Sequence, residues 1–248
     1  MNKTFLVLFS SFLLFLTACN TNETEEANQT DSTEESEENT NSEEAADNGE
    51  LTAESLITAA EENASGKVSY SADQKVNLTQ GEETETYQNV LTIGEQDEMK
   101  SAVNNNGAVE THYIYQGDHY VYQNQSLEQV EGVVNLEGNS YEEIVAKLKS
   151  YPEGELSNLE DGYAITIDIT EPGSLENVFD SEADFLQQVE AVDGTLQLYF
   201  NADQVFTGSE FVGSLTIVGE SADVSGTVDY SRIGDVDVIE KPSNMTEE

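Results

Sequence analysis

Cysteine and histidine side chains, which act in nucleophilic catalysis and bind transition metals, occur at only three positions in the sequence: the single cysteine, Cys19, and two histidines, His112 and His119. A metal site or an activated nucleophile needs such groups within a few ångströms of each other. Between the histidines, Gly117-Asp118 predicts a two-residue hairpin turn with glycine first. That register places His119 opposite Gln116, and His112 lies roughly 13 Å further along the strand at ~3.4 Å per residue. We therefore expect no zinc ion shared by the two histidines of one chain.

Sequence motifs for other kinds of catalysis are absent. The chain has no Gly-x-Ser-x-Gly segment, no glycine-rich phosphate loop and no Asp-x-Asp-x-Asp-Gly calcium loop. Carboxylates are so abundant that close pairs are expected by chance, so acid pairs alone do not indicate catalysis. We predict that the protein is not an enzyme and that it carries no cofactor and no metal.

Cys19 ends the run Leu16-Thr17-Ala18-Cys19, which follows Lys3 and a short apolar stretch. This is the order of a secretory signal peptide, and the stretch is shorter than the ~20 residues of a membrane-spanning helix. The four residues resemble the bacterial lipobox, in which a peptidase cuts before the cysteine and a diacylglyceryl group, with acyl chains such as palmitate, is attached to it. We expect residues 1–18 to be a signal peptide and Cys19 to be lipidated. An ordinary cleaved signal with an unmodified thiol is the alternative.

Acidic residues dominate the composition. The chain holds 51 Asp and Glu against 8 Lys and Arg, a formal net charge of −43. Such a charge repels nucleic acid and anionic lipid headgroups, so neither is expected as a partner. Residues 19–50 contain many acids and almost no large apolar side chain, which is typical of a disordered tether. The folded domain is therefore expected over residues 51–248, and its acidic surface would suit a saline or alkaline habitat.

Three helices are predicted in this domain. The first begins after Thr52 as N-cap and runs to about Asn63. The second begins at the capping box of Ser140 and Glu143 and ends before Pro152. The third covers residues 182–192 and presents Phe185, Leu186 and Val189 on one face.

Alternating apolar and polar residues predict an antiparallel sheet with one covered face. The strands are expected at residues 67–78, 87–93, 98–103, 110–116, 119–124, 163–170, 195–200, 211–218, 223–230 and 236–239. In the hairpin around Gly117-Asp118, Tyr113, Tyr115, Tyr120 and Tyr122 share one face, with Ile114 and Val121 on the other. These tyrosines either stabilise the sheet or form an aromatic wall of a ligand cavity.

The order of elements resembles the LolA/LppX-like lipoproteins, including the largely uncharacterised Gram-positive members. The lipobox, the acidic tether and the helix and strand order carry the resemblance, together with a last strand, Val228–Gly234, and a tail, Val236–Pro242, that contains proline. It implies an α+β fold, a strongly curved antiparallel sheet or unclosed barrel whose concave face is covered by about three helices. In studied relatives the space between sheet and helices holds acyl chains. Its walls here would be Tyr113, Tyr115, Tyr120, Tyr122, Ile144, Leu148, Ile165, Ile167, Phe185, Val189, Leu196, Leu198 and Phe200.

Two functions remain open at this point. The first is an envelope lipoprotein on the extracytoplasmic face of the cell membrane, anchored through diacylglyceryl-Cys19, that binds a lipid or another hydrophobic ligand in this space. The second is a non-enzymatic surface interaction or structural lipoprotein with a closed core, whose protein partner the sequence does not identify.

Overall fold

The structure, a computed structural model, describes residues 51–96, 98–124, 126–133, 136, 138–175 and 188–239. The predicted signal peptide, the lipidation site Cys19 and the acidic tether lie outside these residues, as does Phe185 of the predicted cavity. The described residues cover most of the predicted domain.

One antiparallel sheet of eleven strands forms the body of the domain. The strands are β1 (Tyr70–Gln80), β2 (Glu83–Ile93), β3 (Met99–Asn105), β4 (Ala108–Tyr115), β5 (Asp118–Gln123), β6 (Ser126–Val133), β7 (Glu155–Leu159), β8 (Gly162–Ile169), β9 (Val189–Asn201), β10 (Phe206–Ile217) and β11 (Glu220–Ser231). Their order in the sheet is β6-β5-β4-β3-β2-β1-β11-β10-β9-β8-β7, so β6 and β7 are the two edges. The sheet is strongly curved and does not close, which confirms the predicted sheet architecture.

Alternation along each strand decides which face is covered. In β1, Tyr70, Ala72 and Gln74 are buried, whereas Asp73 and Lys75 are exposed. Antiparallel pairing carries this pattern across the sheet, because directly opposite residues point to the same face. The buried positions from all parts of the sheet join the apolar sides of the helices in a single core. We call the face that bears them the concave face and the opposite one the convex face.

Two α-helices lie among the described residues, and both were predicted. Helix α1 (Ala53–Ala64) has Thr52 as N-cap, and its buried residues Leu56, Ala60 and Ala64 recur every fourth residue on one side. Helix α2 (Tyr141–Ala146) begins at the predicted capping box of Ser140 and Glu143 and continues as a 3₁₀ turn over residues 147–150. Their positions confirm the two N-terminal signals in the sequence.

The third predicted helix is wrong over its last residues. Val189–Val192 form the start of β9, where Val189 pairs with Ile217 and Val192 with Leu215 of β10. The register of β9 and β10 shifts between these two pairs, and this β-bulge puts Val189 and Val192, three residues apart, on the same buried face of a strand. Residues 182–187 lie outside the described ranges.

The remaining strand predictions hold to within a few residues, with three exceptions. Both edge strands, β6 and β7, were missed, because their apolar residues do not alternate: Leu127 and Val130 are three positions apart, as are Leu156 and Leu159. An edge strand has only one paired neighbour and little covered surface, so it leaves a weak pattern. The predicted strand at residues 236–239 is not formed.

The register predicted for the β4–β5 hairpin is also wrong. The two turn residues are Gln116 and Gly117, with φ of 54° and 85°, and Tyr115 pairs with Asp118. Positive φ at both positions is the type I′ turn, whose backbone twist matches that of the strands. The turn therefore lies one residue earlier than predicted, and Ile114 rather than Gln116 is opposite His119.

Candidate functional site: the concave face of the sheet

Most of the predicted cavity residues do meet on the concave side. Helix α2 and strands β8, β9 and β10 bring them into one cluster with helix α1. Its members from the prediction are Ile144, Leu148, Ile165, Ile167, Val189, Leu196, Leu198 and Phe200. Apart from Ile144, which is partly buried, none of them exposes more than 8% of its surface. In this structure these side chains contact protein atoms over nearly all their surface, so they enclose no open cleft.

The close packing of β9 against β10 and the Phe211 ring in this cluster depends on two glycines, Gly194 and Gly213. The ring of Phe211 lies over Gly194 of the neighbouring strand, where an added Cβ would come within 2.7 Å of Phe211 Cζ. A Cβ on Gly213, opposite Gly194, would lie 2.6 Å from the Gly194 Cα. Aromatic rings that cover glycines occur where a sheet bends sharply. The aromatic ring thus fills the space that the missing side chains leave.

An aromatic group joins α2 to the sheet. The Tyr141 ring lies 6.3 Å from that of Tyr70 and 6.0 Å from that of Tyr230, and Tyr230 lies 5.5 Å from Phe206. The Tyr141 hydroxyl donates a hydrogen bond of 2.5 Å to the Phe206 carbonyl oxygen. Burial raises the pKa of Tyr70, Tyr141 and Tyr230 above its ordinary value, so these phenols stay protonated. They are neutral core groups and not bases.

Both helices are tied to the sheet at one end. The backbone N–H groups of Tyr141 and Glu142 donate to the carbonyls of Val68 and Lys67, just before β1. Near the end of α1, the Asn63 side chain donates to the Asp203 carbonyl in the β9–β10 turn at 2.9 Å. An ion pair between Glu61 and Lys149 connects the two helices. These contacts hold both helices against the sheet and against each other.

The four tyrosines of the predicted aromatic wall lie elsewhere. Tyr113 pairs with Tyr120 on the convex face, whereas the next residue of β4, Ile114, is buried in the core. Tyr115 and Tyr122 share that convex face, because they alternate with the inward positions of β4 and β5. The tyrosines keep to one face as predicted. That face is the one away from the helices, so they do not line the space between sheet and helices.

A band of polar side chains, which sequence reasoning missed, crosses the other half of the concave face. Gln74, Asn89 and Ser101 occupy neighbouring strands and are exposed by 6%, 1% and 1%. The Asn89 amide donates to the Gln74 side-chain oxygen at 3.0 Å, and its own oxygen accepts from the Ser101 hydroxyl at 2.7 Å. We call these three residues the polar band. Its signal in the sequence was polar residues at inward positions of otherwise alternating strands.

Next to the polar band on the concave face lie the two histidines. His112 is opposite Ser101, and its Nδ1 is 3.0 Å from Nε2 of His119. The other ring nitrogen of His112 is 3.1 Å from a Glu110 oxygen, and the second Glu110 oxygen accepts from the Gln123 amide. The sequence prediction that the histidines lie about 13 Å apart is wrong. The shifted hairpin turn brings His119 two residues closer to His112 along the paired strands.

Burial and the neighbouring His112 lower the pKa of His119 below its ordinary value. A neutral His119 can donate from one ring nitrogen and accept at the other. In the ranges that the structure describes, no group of three or more His, Cys, Asp or Glu side chains is arranged to hold a metal ion. Nor do those ranges include a helix that is both long and apolar enough to cross a bilayer.

Comparison with known proteins gives similarities of fold only. No family model and no curated protein matches the sequence. Among solved structures, the chain is similar to LprF from Mycobacterium bovis, at 10% identity and a TM-score of 0.43, over 75% of this chain and 95% of that one. It is also similar to a LolA superfamily protein from Nitrosomonas europaea (9% identity, TM-score 0.29, 77% and 96% covered). A third similar structure is an outer membrane lipoprotein-sorting protein domain from Vibrio parahaemolyticus. It has 8% identity and a TM-score of 0.25, and the match covers 77% of this chain and 93% of that one. At such identities and TM-scores these neighbours carry no functional argument.

Proposed function

We propose that the protein is a membrane-anchored extracytoplasmic lipoprotein that binds a hydrophobic ligand, a lipid or an acyl chain, between its sheet and helices. The anchor is the diacylglyceryl group on Cys19, and residues 19–50 are the tether that holds the domain away from the membrane. Two acyl chains are enough for stable anchoring, because each buried CH₂ contributes about 0.8 kcal/mol. The protein acts without catalysing a reaction.

The observation that carries this proposal is the buried polar band on an otherwise mainly apolar concave face. The buried side chains of β8–β11 and both helices, which we call the apolar half, are all apolar, whereas on β1–β3 the polar band lies among apolar core residues such as Leu91 and Met99. Three buried, hydrogen-bonded polar side chains contribute little or no more to folding stability than apolar side chains of the same shape would. An interior with both characters suits a ligand that has an acyl chain and a polar head.

The second candidate, a surface interaction or structural lipoprotein with a closed core, is favoured by the packing of the apolar half. Ile165, Ile167 and Leu198 expose only 1% of their surface, as in an ordinary protein core. For a ligand to enter, the side chains that are packed in this half must move apart. The two functions therefore differ in whether this half of the concave face admits a lipid.

Tryptophan fluorescence can separate them, because the chain has no tryptophan of its own. Tyr163→Trp places a reporter on β8 at a partly buried position packed against the core, opposite Phe200. Val212→Trp is the matched control on β10, since Val212 is 52% exposed on the convex face. Each variant, as the full chain in mild detergent, is titrated with a brominated fatty acid, whose bromine atoms quench tryptophan on contact.

Quenching of the Tyr163→Trp reporter at saturation, with little change in the Val212→Trp control, is the expected result. Native mass spectrometry of the chain purified from its own membrane should then show a bound lipid. Equal quenching of both reporters, or none, together with no co-purifying lipid, would refute the ligand proposal. A specific protein recovered by affinity capture on the chain would in that case support the interaction module.

A further inference from the structure

We propose that His112 and His119 form a binding site for a divalent transition-metal cation such as Zn²⁺, Cu²⁺ or Ni²⁺. The site is independent of the lipid proposal, since its ligands lie on β4 and β5, outside the apolar half. Both histidines of the whole chain meet here, although the sequence separates them by a hairpin turn. Imidazole nitrogens favour these cations over Ca²⁺ and Mg²⁺, which prefer oxygen ligands.

The geometry places two imidazole nitrogens edge to edge. The Nδ1 of His112 and the Nε2 of His119 are 3.0 Å apart, while the ring centroids are 5.3 Å apart. The distance between centroids exceeds the distance between nitrogens by about twice the distance from a ring centroid to its nitrogen. Both nitrogens therefore lie on the line that joins the two ring centres and face each other directly. Two nitrogens bound to one tetrahedral Zn²⁺ at ~2.0–2.1 Å lie about 3.3–3.4 Å apart. Binding therefore needs a separation larger by a few tenths of an ångström and a turn of each ring by about 35°, because a tetrahedral ion lies beside the line that joins the two nitrogens.

Glu110 prepares His112 for this role. Its Oε1 is 3.1 Å from His112 Nε2, and its Oε2 accepts a hydrogen bond from Gln123, also at 3.1 Å. A carboxylate partner keeps the proton of a neutral imidazole on the nitrogen that faces it. The lone pair of His112 is therefore on Nδ1, toward His119. A carboxylate behind a metal-binding histidine fixes the ring and raises its basicity.

The neighbourhood admits the ion and attracts it. The side chains of His112 and Glu110 expose 19% and 35% of their surface, so the cation and its remaining water ligands can reach them. On the concave side the pair is flanked by Ser101 of β3 and Val130 of β6, at the positions opposite each histidine, and by Glu128 opposite Val121. No positive side chain is among these neighbours. The net charge of −43 raises the local concentration of cations around the whole chain.

Binding is also coupled to a proton. In the metal-free pair, the Nε2 proton of His119 lies between the two nitrogens and is donated to His112 Nδ1. When the cation binds, His119 must lose this proton from Nε2 and carry one on Nδ1 instead. The cation thus takes the place of a shared hydrogen while the proton stays on the His119 ring, and protons compete with the cation because it binds only to unprotonated nitrogens. Since the described part of the chain offers no third His, Cys, Asp or Glu arranged around the pair, water is expected to supply the remaining ligands.

The test is a Cu²⁺ and Zn²⁺ titration of the full chain in detergent, stripped of metal beforehand, at neutral pH. The wild-type chain is expected to bind one ion more tightly than its carboxylates bind others, and the Cu²⁺ spin-resonance spectrum should show two nitrogen ligands. His112→Gln and His119→Gln should each weaken this binding at least about tenfold, and Glu110→Gln by about 10- to 100-fold. Glu155→Gln, which removes the same charge from the exposed edge strand β7, should leave it unchanged.

A spectrum with oxygen ligands only, or equal affinity in the wild type and His119→Gln, would overturn the proposal and assign the binding to scattered carboxylates. Nuclear magnetic resonance of the wild-type imidazoles gives a second reading that does not depend on any variant folding. Both histidines should shift together and saturate at one equivalent of Zn²⁺. Imidazole signals that stay unchanged would contradict the site.

Discussion

The polar band allows a prediction that separates the cost of a missing partner from the value of the band itself. Asn89 is its middle member: it donates to Gln74 and accepts from Ser101, and it is 1% exposed. Asn89→Leu keeps the volume approximately but leaves the Gln74 oxygen and the Ser101 hydroxyl without their partner in a buried place. Each unsatisfied group costs about 1–3 kcal/mol. We expect a loss of at least about 2 kcal/mol in the free energy of unfolding, and a fall of about 4–8 °C in melting temperature for a domain of this size.

The triple variant Gln74→Met, Asn89→Leu, Ser101→Ala removes every member at once. Replacing all partners by apolar groups of similar shape is close to neutral, so the triple variant should be more stable than Asn89→Leu alone. Urea unfolding followed by far-ultraviolet circular dichroism measures both. A triple variant that is less stable than the single one, or a single variant that loses under about 0.5 kcal/mol, would refute this reading of the band. A stable triple variant that still binds lipid with unchanged affinity would count against a role for the band in ligand binding.

Three further predictions rest on single contacts. Gly194→Ala should destabilise the domain, because its Cβ would come within 2.7 Å of the Phe211 ring. Gly173→Ala is the control and should not destabilise the domain, because the space around this glycine is open. Thermal unfolding compares the two variants. Tyr141→Phe should lose about 1–3 kcal/mol in urea unfolding by leaving a buried carbonyl unpaired, and an unchanged midpoint would contradict that hydrogen bond. Since burial lowers the pKa of His119 below 6.5, the unfolded chain takes up this proton first as pH falls. In metal-free buffer the wild type should therefore lose stability relative to His119→Gln as pH drops below about 6.5, and parallel pH profiles would exclude the effect.

Local signals in the sequence predicted the elements well. The capping residues Thr52 and Ser140 fixed where both helices begin, because a side chain that satisfies free N–H groups at a helix start leaves a specific pattern. Alternation predicted most of the strands, since burial of one face imposes a period of two residues. The edge strands lacked that pattern because a single paired neighbour covers little of them. For Val189 and Val192, the spacing of three residues favoured a helix, but a β-bulge in the pairing with β10 places both on the buried face of a strand.

The candidate site was harder to predict because it depends on where a single turn lies. Three hairpins of the sheet use the same turn, with a positive φ at a non-glycine residue followed by glycine: Asn106-Gly107, Gln116-Gly117 and Val218-Gly219. Asn-Gly is the strongest signal for this turn. Gln116-Gly117 is a weaker signal for this turn, so the sequence was compatible with a β4–β5 turn at either Gln116-Gly117 or Gly117-Asp118.

The difference between these two positions is large for the histidines and small for the fold. Moving the turn by one residue shifts the pairing by two, and an even shift leaves every side chain on the same face of the sheet. The core residue Ile114 and the four tyrosines therefore keep their faces in either register. The separation of His112 and His119 along the strands, in contrast, falls from four residues to two, which turns distant groups into a contact of 3.0 Å. Hydrophobic pattern specifies the face that a residue occupies, but the chemistry of a polar pair depends on register, which the turn alone sets.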